Sequence, residues 1–282
     1  MNRSKSFDNS SPLLYLVATP IGNLKEISKR ALDVFNDADI IAAEDTRNTY
    51  SLLSHYGIKK ELFSLREHNE IEASNHLIKL LKSGKKVVYV SDAGYPGISD
   101  PGYLLAKAAI KEGISVSTVS GSCAFINALV ASGLATDHFY FYGFLSKKGN
   151  EARSALEDMK DREETLIFYE SPHHIKETIN LLNEVLGDRE AVIARELTKL
   201  NEEYIRGTLN ELVGLDFESL KGEMVVLVSG KLASDDEVSE EEIIQRLKFI
   251  MDKGVSKKAA IEIVTDELKQ PKNKVYKIAQ NI

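Results

Sequence analysis

The sequence contains one cysteine, Cys123, so no disulfide can form within the chain and the fold rests on packing alone. That suits a reducing compartment, and a cytoplasmic location is expected. No apolar run approaches the roughly 18 residues of a membrane span, so no membrane contact is expected. The start, Met1 to Ser11, is polar and lacks the apolar centre of a signal peptide, which reads as a disordered tail. None of the 17 glycines stands two positions from another, which removes the G-x-G of dinucleotide folds and the usual glycine loop of Rossmann-type methyltransferases. Gly97 and Gly102 have P-loop spacing, but Tyr103-Leu104 follows where Lys-Ser/Thr is needed. His173 and His174 are adjacent, with no cysteine or third histidine near in sequence, so no metal site is expected.

What is present is an ordinary soluble profile. With 282 residues, 43% hydrophobic and 28% charged, the chain is long enough for two cores. The net charge of −7 is unevenly spread. Residues 243–282 hold nine Lys/Arg against four acids, a local +5. Residues 235–242 hold six acids, and residues 1–234 carry the remaining −6. A basic module behind an acidic connector hints at nucleic-acid contact, although a solvated helical face fits the same charges.

The centre of the pattern is Val87 to Gly102. A β-branched apolar run gives a buried strand, and five Gly/Pro residues in the nine positions 94–102 follow it. Asp100 is placed to cap the next helix, with Pro101 in its first turn. Open α/β sheets bind ligands at such strand ends. Two further loops have this character, Thr19–Leu24 after the strand Leu13–Ala18 and Ser120–Ala124 after the strand Ile114–Val119. Phe139–Phe144 is read as the last strand of a first α/β domain, 12–145. A second α/β domain, 150–231, an acidic linker, 232–242, and a small helical module, 243–282, follow. The module is expected as three short helices, 239–252, 256–269 and 271–280, resembling a helix-turn-helix bundle.

Polar clusters stand at several strand ends. Glu44-Asp45-Thr46-Arg47 reads equally as a chemical cluster or as a helix cap with an ion pair. His68 is read as a surface residue and Cys123 as a small packed one. Glu170 to His174 and Arg195 to Lys199 close strands of the second domain. A pair of α/β domains has a cleft between them, the usual place for a small ligand.

The ordered blocks Leu16–Leu24, Ala42–Arg47, Ser91–Gly94, Ser99–Gly102, Tyr169–His173, Ala194–Lys199 and Lys221–Glu223 together resemble the small-subunit ribosomal RNA methyltransferase branch of the tetrapyrrole methylases, over about residues 13–230. Ser120 departs from the proline common there. The resemblance implies two α/β domains of the tetrapyrrole methylase type with a cofactor cleft between them, plus the C-terminal helical module. It implies S-adenosylmethionine as cofactor, no metal, a homodimer, and small-subunit rRNA or the 30S subunit as partner, methylated on a cytidine ribose 2′-hydroxyl in the decoding region. By motif position Pro20, Gly22, Asn23, Ser91, Asp92, Ala93, Gly94, Ser120, Gly121, Ala124 and Tyr169 would hold the cofactor. Glu44, Asp45, Arg47, Glu170 and Glu196 would be catalytic, and Arg195, Thr198 and Lys199 would bind substrate. A ribose hydroxyl is a poor nucleophile, so a carboxylate or histidine should take its proton. Glu44, Asp45, Glu170 and Glu196 are the candidates. Two alternatives stay open, a small-molecule methyltransferase of the same fold and a non-catalytic RNA-binding assembly factor.

Overall fold

A computed structural model describes residues 13–231, 240–268 and 270–282. The expected tail at 1–11 and most of the acidic connector, 232–239, lie outside these residues. No helix among the described residues is long and apolar enough to cross a membrane.

The first sheet holds β1 (Leu13–Val17), β2 (Ile40–Ala43), β3 (Glu61–Ser64), β4 (Val87–Val90) and β5 (Ser115–Val119), all parallel, in the order β3-β2-β4-β1-β5. β2 and β4 are buried along their whole length, as a two-sided sheet requires. One face packs on α1 (Lys29–Asp37) and α2 (Thr46–His55) through Ala31, Phe35 and Leu53. The other packs on α3 (Glu70–Lys82) and α4 (Tyr103–Lys111) through Leu77, Leu81, Leu105 and Ala109. The chain leaves β1 toward β2 on one side and leaves β4 toward β5 on the other. Their neighbouring carboxyl ends therefore diverge, which opens a crevice.

The second sheet is mixed, in the order β6-β7-β10-β8-β9, from β6 (Phe139–Phe144), β7 (Thr165–Glu170), β8 (Glu190–Arg195), β9 (Glu203–Thr208) and β10 (Met224–Val228). β6 pairs in parallel with β7, so it opens this sheet and does not close the first domain as expected. The join between sheets falls ahead of β6. The preceding helix, α5 (Ala124–Ser132), also belongs to the second core. Strands β7, β8 and β10 are buried on both faces. α6 (Gly149–Met159), α7 (Ile175–Leu186) and α8 (Leu209–Val213) cover one face, and Ala128 and Leu129 of α5 pack on Ile167, Val192 and Leu227 of the other.

The C-terminal helices form a separate unit: α9 (Glu240–Asp252), α10 (Lys257–Glu267) and α11 (Lys272–Gln280), with their own core. Glu240, Glu241 and Glu242, read both as the end of the linker and as part of a helix over 239–252, form the first turn of α9, where the helix dipole favours acids. Pro271 is the residue before α11 and not part of its first turn.

The start of α4 differs from its expected form. The cap residue is Gly102, at φ 133°, and it has no capping side chain of its own. Glu70, from the start of α3, supplies the acceptor: its Oε1 receives the Gly102 N–H at 2.8 Å and the Leu104 N–H at 3.1 Å. Asp100, expected as this cap, is released to face the crevice. Glu70→Ala leaves two backbone donors without their acceptor and should cost about 1–3 kcal/mol. Urea unfolding of Glu70→Ala and Glu70→Gln checks this, the amide variant keeping a carbonyl acceptor and losing less.

Candidate active site

The crevice is held shut at its base by backbone bonds. Thr19 N–H donates to Gly94 O at 2.9 Å and Gly94 N–H donates to Thr19 O at 3.0 Å, joining the loops after β1 and β4. The Thr19 hydroxyl donates to Ser91 O at 3.3 Å. Above this bridge lies a cavity of about 450 Å³ between the two sheets. Its apolar wall includes Ile21, Ile98, Phe144, Tyr169, Leu197 and Met224. Its charged residues are Glu44, Asp92, Asp100, Glu170, Glu196 and Glu223, with Lys199 the one lining cation among the described residues.

These carboxylates are in different states. Asp92 is committed to structure, accepting the Asp45 N–H at 3.1 Å and the Asn48 side-chain amide at 2.9 Å. Glu170 accepts the Ser171 N–H at 2.7 Å and the Thr178 hydroxyl, so it ties β7 to α7. Glu196 pairs with Lys199 at 2.8 Å. Burial pushes the Glu44 carboxyl up from its ordinary value, with Asp92 and Asp45 adding to the shift against a hydrogen bond from the Asp92 N–H. Asp100 is shifted furthest. Burial, with Glu44, Asp92 and Glu223 nearby, pushes it up to about 7, against a hydrogen bond with Ser91. Beneath them the buried Tyr89 hydroxyl has no partner among the described residues, and burial raises its pKa.

Backbone strain concentrates here. Among the described residues the non-glycine residues with left-handed φ are Ser99 at 61°, Glu196 at 51° and Thr198 at 67°. All three sit on the loops that form or flank the cavity, where strain commonly marks function. The loops also pack too tightly for side chains at certain glycines. A Cβ on Gly222 would stand 1.9 Å from Glu196 Oε1, and one on Gly22 would stand 2.6 Å from Lys199 Cγ.

The residues 13–213 match the family described as Tetrapyrrole (Corrin/Porphyrin) Methylases. The chain belongs to that family. It is 42% identical to the ribosomal RNA small subunit methyltransferase I of Bacillus subtilis (strain 168), over 98% of this chain and 97% of that protein. The protein of the same name from Haemophilus influenzae is 46% identical, over 94% of this chain and 95% of that one. Among solved structures, diphthine synthase superposes with a TM-score of 0.61 at 19% identity, over 78% of this chain and 90% of that one. Uroporphyrin-III-C-methyltransferase from Thermus thermophilus gives 0.56 at 21% identity, over 77% and 94%. These two likenesses concern the fold.

In this tetrapyrrole methylase the residues singled out by sequence divide into groups. Glu44, Asp92, Ala93, Gly94, Ala124, Tyr169, Glu170, Glu196 and Lys199 line the cavity. Pro20 and Gly22 instead line a separate groove of about 400 Å³, together with Asn48, His55, Ser91 and Asp92. Asn23 caps a short turn, its Oδ1 accepting the Lys25 N–H at 3.1 Å. Gly121 lies where a Cβ would come 3.0 Å from Ala18, and it and Ser120 do not line the cavity. Asp45 caps α2 and binds Arg47 at two points, which holds its carboxyl well below the usual range. Arg195 is tied to Glu203 at 2.6 Å and Thr198 donates its N–H to Glu202 at 2.6 Å, and neither lines the cavity. Asp100 and Glu223 were missed as site residues, although both lie inside the quoted motifs. Among the described residues no group of His, Cys, Asp or Glu is placed to hold a metal ion.

Two loop glycines make a direct test of this geometry. Gly94, at φ 72°, has room for a Cβ, with Ile21 Cγ2 nearest at 3.5 Å. Gly94→Ala should therefore lose only the cost of a left-handed alanine, about 1–2 kcal/mol. Gly102→Ala adds a 2.9 Å contact with the buried Tyr89 ring and should lose roughly 3 kcal/mol or more. Equal urea midpoints for the two variants would contradict the packing described here.

Proposed function

We propose that the cavity binds S-adenosylmethionine and that the chain methylates the ribose 2′-hydroxyl of a cytidine in the decoding region of small-subunit rRNA, as part of a 30S subunit or its precursor. The observation that carries this reading is the anionic cavity at the strand switch point, in a chain similar over nearly its whole length to proteins named ribosomal RNA small subunit methyltransferase I. The residues present fit the cofactor. Carboxylates suit its sulfonium and ammonium charges, and the apolar wall suits an adenine ring.

S-adenosylmethionine supplies an electrophilic methyl group on a cationic sulfur. The protein's task is alignment and proton removal. Glu44, Asp92 and Glu223 bring carboxyl groups to the cleft, which Ala93, Gly94, Tyr95 and Ala124 also line. Asp100 is the general base in this reading, since it is the cavity carboxyl poised near neutral pH and the others engaged by hydrogen bonds or Lys199 are less free to take a proton. Glu44 supports it by holding the field that keeps its proton affinity high. Arg47, with a side chain 83% exposed although paired with Asp45, is accessible to a phosphate. A homodimer is part of this reading.

The experiment is methyl transfer from labelled cofactor to small ribosomal subunits. Asp100→Asn should lower the rate about 100-fold or more while calorimetry shows cofactor affinity within a few-fold of the parent. The parent's kcat/KM for the cofactor should rise with pH through about 7, because only ionised Asp100 accepts a proton. The limb in kcat should lie lower, since a bound cation favours the ionised form. Stability moves the other way. The folded pKa is above the unfolded one, so the folded state holds the proton longer and stability falls as pH rises from about 4 to about 7. Asp100→Asn should remove that fall. A variant as active as the parent would exclude Asp100 as the base.

A further inference from the structure

The three C-terminal helices pack Ile243, Leu247, Ile261, Val264, Val275 and Ile278 into one core. Their outer sides are unequal. α11 contains three lysines and no acid. Its exposed residues are Lys272, Asn273, Tyr276, Lys277 and Gln280, which fall within about 140° of arc at 100° per residue. One continuous face thus carries two cations, two amides and a phenol ring, with Tyr276 52% exposed. It carries no aliphatic anchor of the kind a protein partner would use. Lys272 pairs with Glu262 at 3.1 Å, an exposed pair that competing anions displace.

α10 is charged against its own dipole. Lys257 and Lys258 open it, and Asp266 and Glu267 close it. Glu267 is relieved by Arg246 of α9, with Nε–Oε2 at 2.8 Å. Among the described residues no acid pairs with the exposed Lys257 or Lys258. Ser256 caps the helix in the usual way, accepting the Ala259 N–H, and α9 has its acids at the favourable end. Two lysines at the unfavourable end of an otherwise well-formed helix therefore require another reason.

We propose that the outer face of α11, with Lys257 and Lys258 of α10 as further phosphate contacts, is an RNA-binding surface, on which Tyr276 stacks an unpaired base. The lysines neutralise phosphates and release counterions, while Asn273 and Gln280 present donors and acceptors beside the ring. Residues 1–242 carry −12, so this face is where the chain can attract a polyanion despite its overall charge. The inference rests on the proposed function only in taking ribosomal RNA as the source of the strand.

The test uses the full chain and a labelled fragment of small-subunit rRNA, with an unrelated RNA of equal length beside it. Affinity is measured by fluorescence anisotropy across a salt series. Lys257→Ala/Lys258→Ala and Lys277→Ala should weaken binding to both RNAs and flatten log affinity against log salt by about 0.7 for each phosphate left unneutralised. Tyr276→Ala should weaken binding without changing the slope. Removing cations from the start of α10 should leave Tm equal or higher, so weakened binding is not a folding defect. Methylation at saturating RNA should match the parent's. Affinities and slopes equal to the parent's in all three variants would overturn the proposal, whatever acidic protein the same lysines hold. A parent that binds RNA here but methylates none would overturn the proposed function and leave this surface standing.

Discussion

The parallel pairing of β1 with β4 is the constraint on which the site depends. Leu14 lies opposite Val87 and Leu16 opposite Tyr89, so two loops more than seventy residues apart leave the sheet side by side and turn in opposite directions. The mutual bonds between Thr19 and Gly94 extend that pairing past the strands into the loops. Everything at the mouth of the crevice follows from this. Asp92 reaches across to the start of α2, Glu44 receives the Asp92 N–H at 3.4 Å, and the two loops share one wall. A slip in this register would turn every β4 side chain to the opposite face and dissolve the cavity.

The acidic residues show how one type of side chain serves different physical ends. Glu70, buried beside α4, is an acceptor for another helix's donors. Asp45 performs the same service for its own helix and is held in addition by Arg47. Glu170 fastens a strand to a helix. Asp100 is buried among like charges without such backbone donors, which pushes its pKa up to about 7. Polar satisfaction separates the carboxylates bound into the scaffold from Asp100.

The C-terminal helices show the opposite arrangement. Their core is small and complete, while charges on α10 oppose the helix field that charges on α9 follow. Local stability is conceded at one helix end, as left-handed backbone is conceded at Ser99, Glu196 and Thr198 in the cleft.

Much of the fold was legible because its signals are local. Alternating apolar runs, glycine loops and capping serines such as Ser28 and Ser256 act over a few residues, and the ordered motifs marked the cleft-forming loops. The sequence alone determined most of the strands and helices. It did not determine partnership. β6 reads as the end of one domain but pairs with β7, because strands buried on both faces need neighbours that no local window shows. Asp100 reads as a helix cap, yet Glu70, thirty residues earlier, takes that place and frees it for the cavity. Arg195 and Asp45, read as site residues, stand in ion pairs with Glu203 and Arg47. Tertiary structure alone decided which carboxylates are satisfied and which remain available, since hydrogen-bond satisfaction and burial are set by residues distant in the chain.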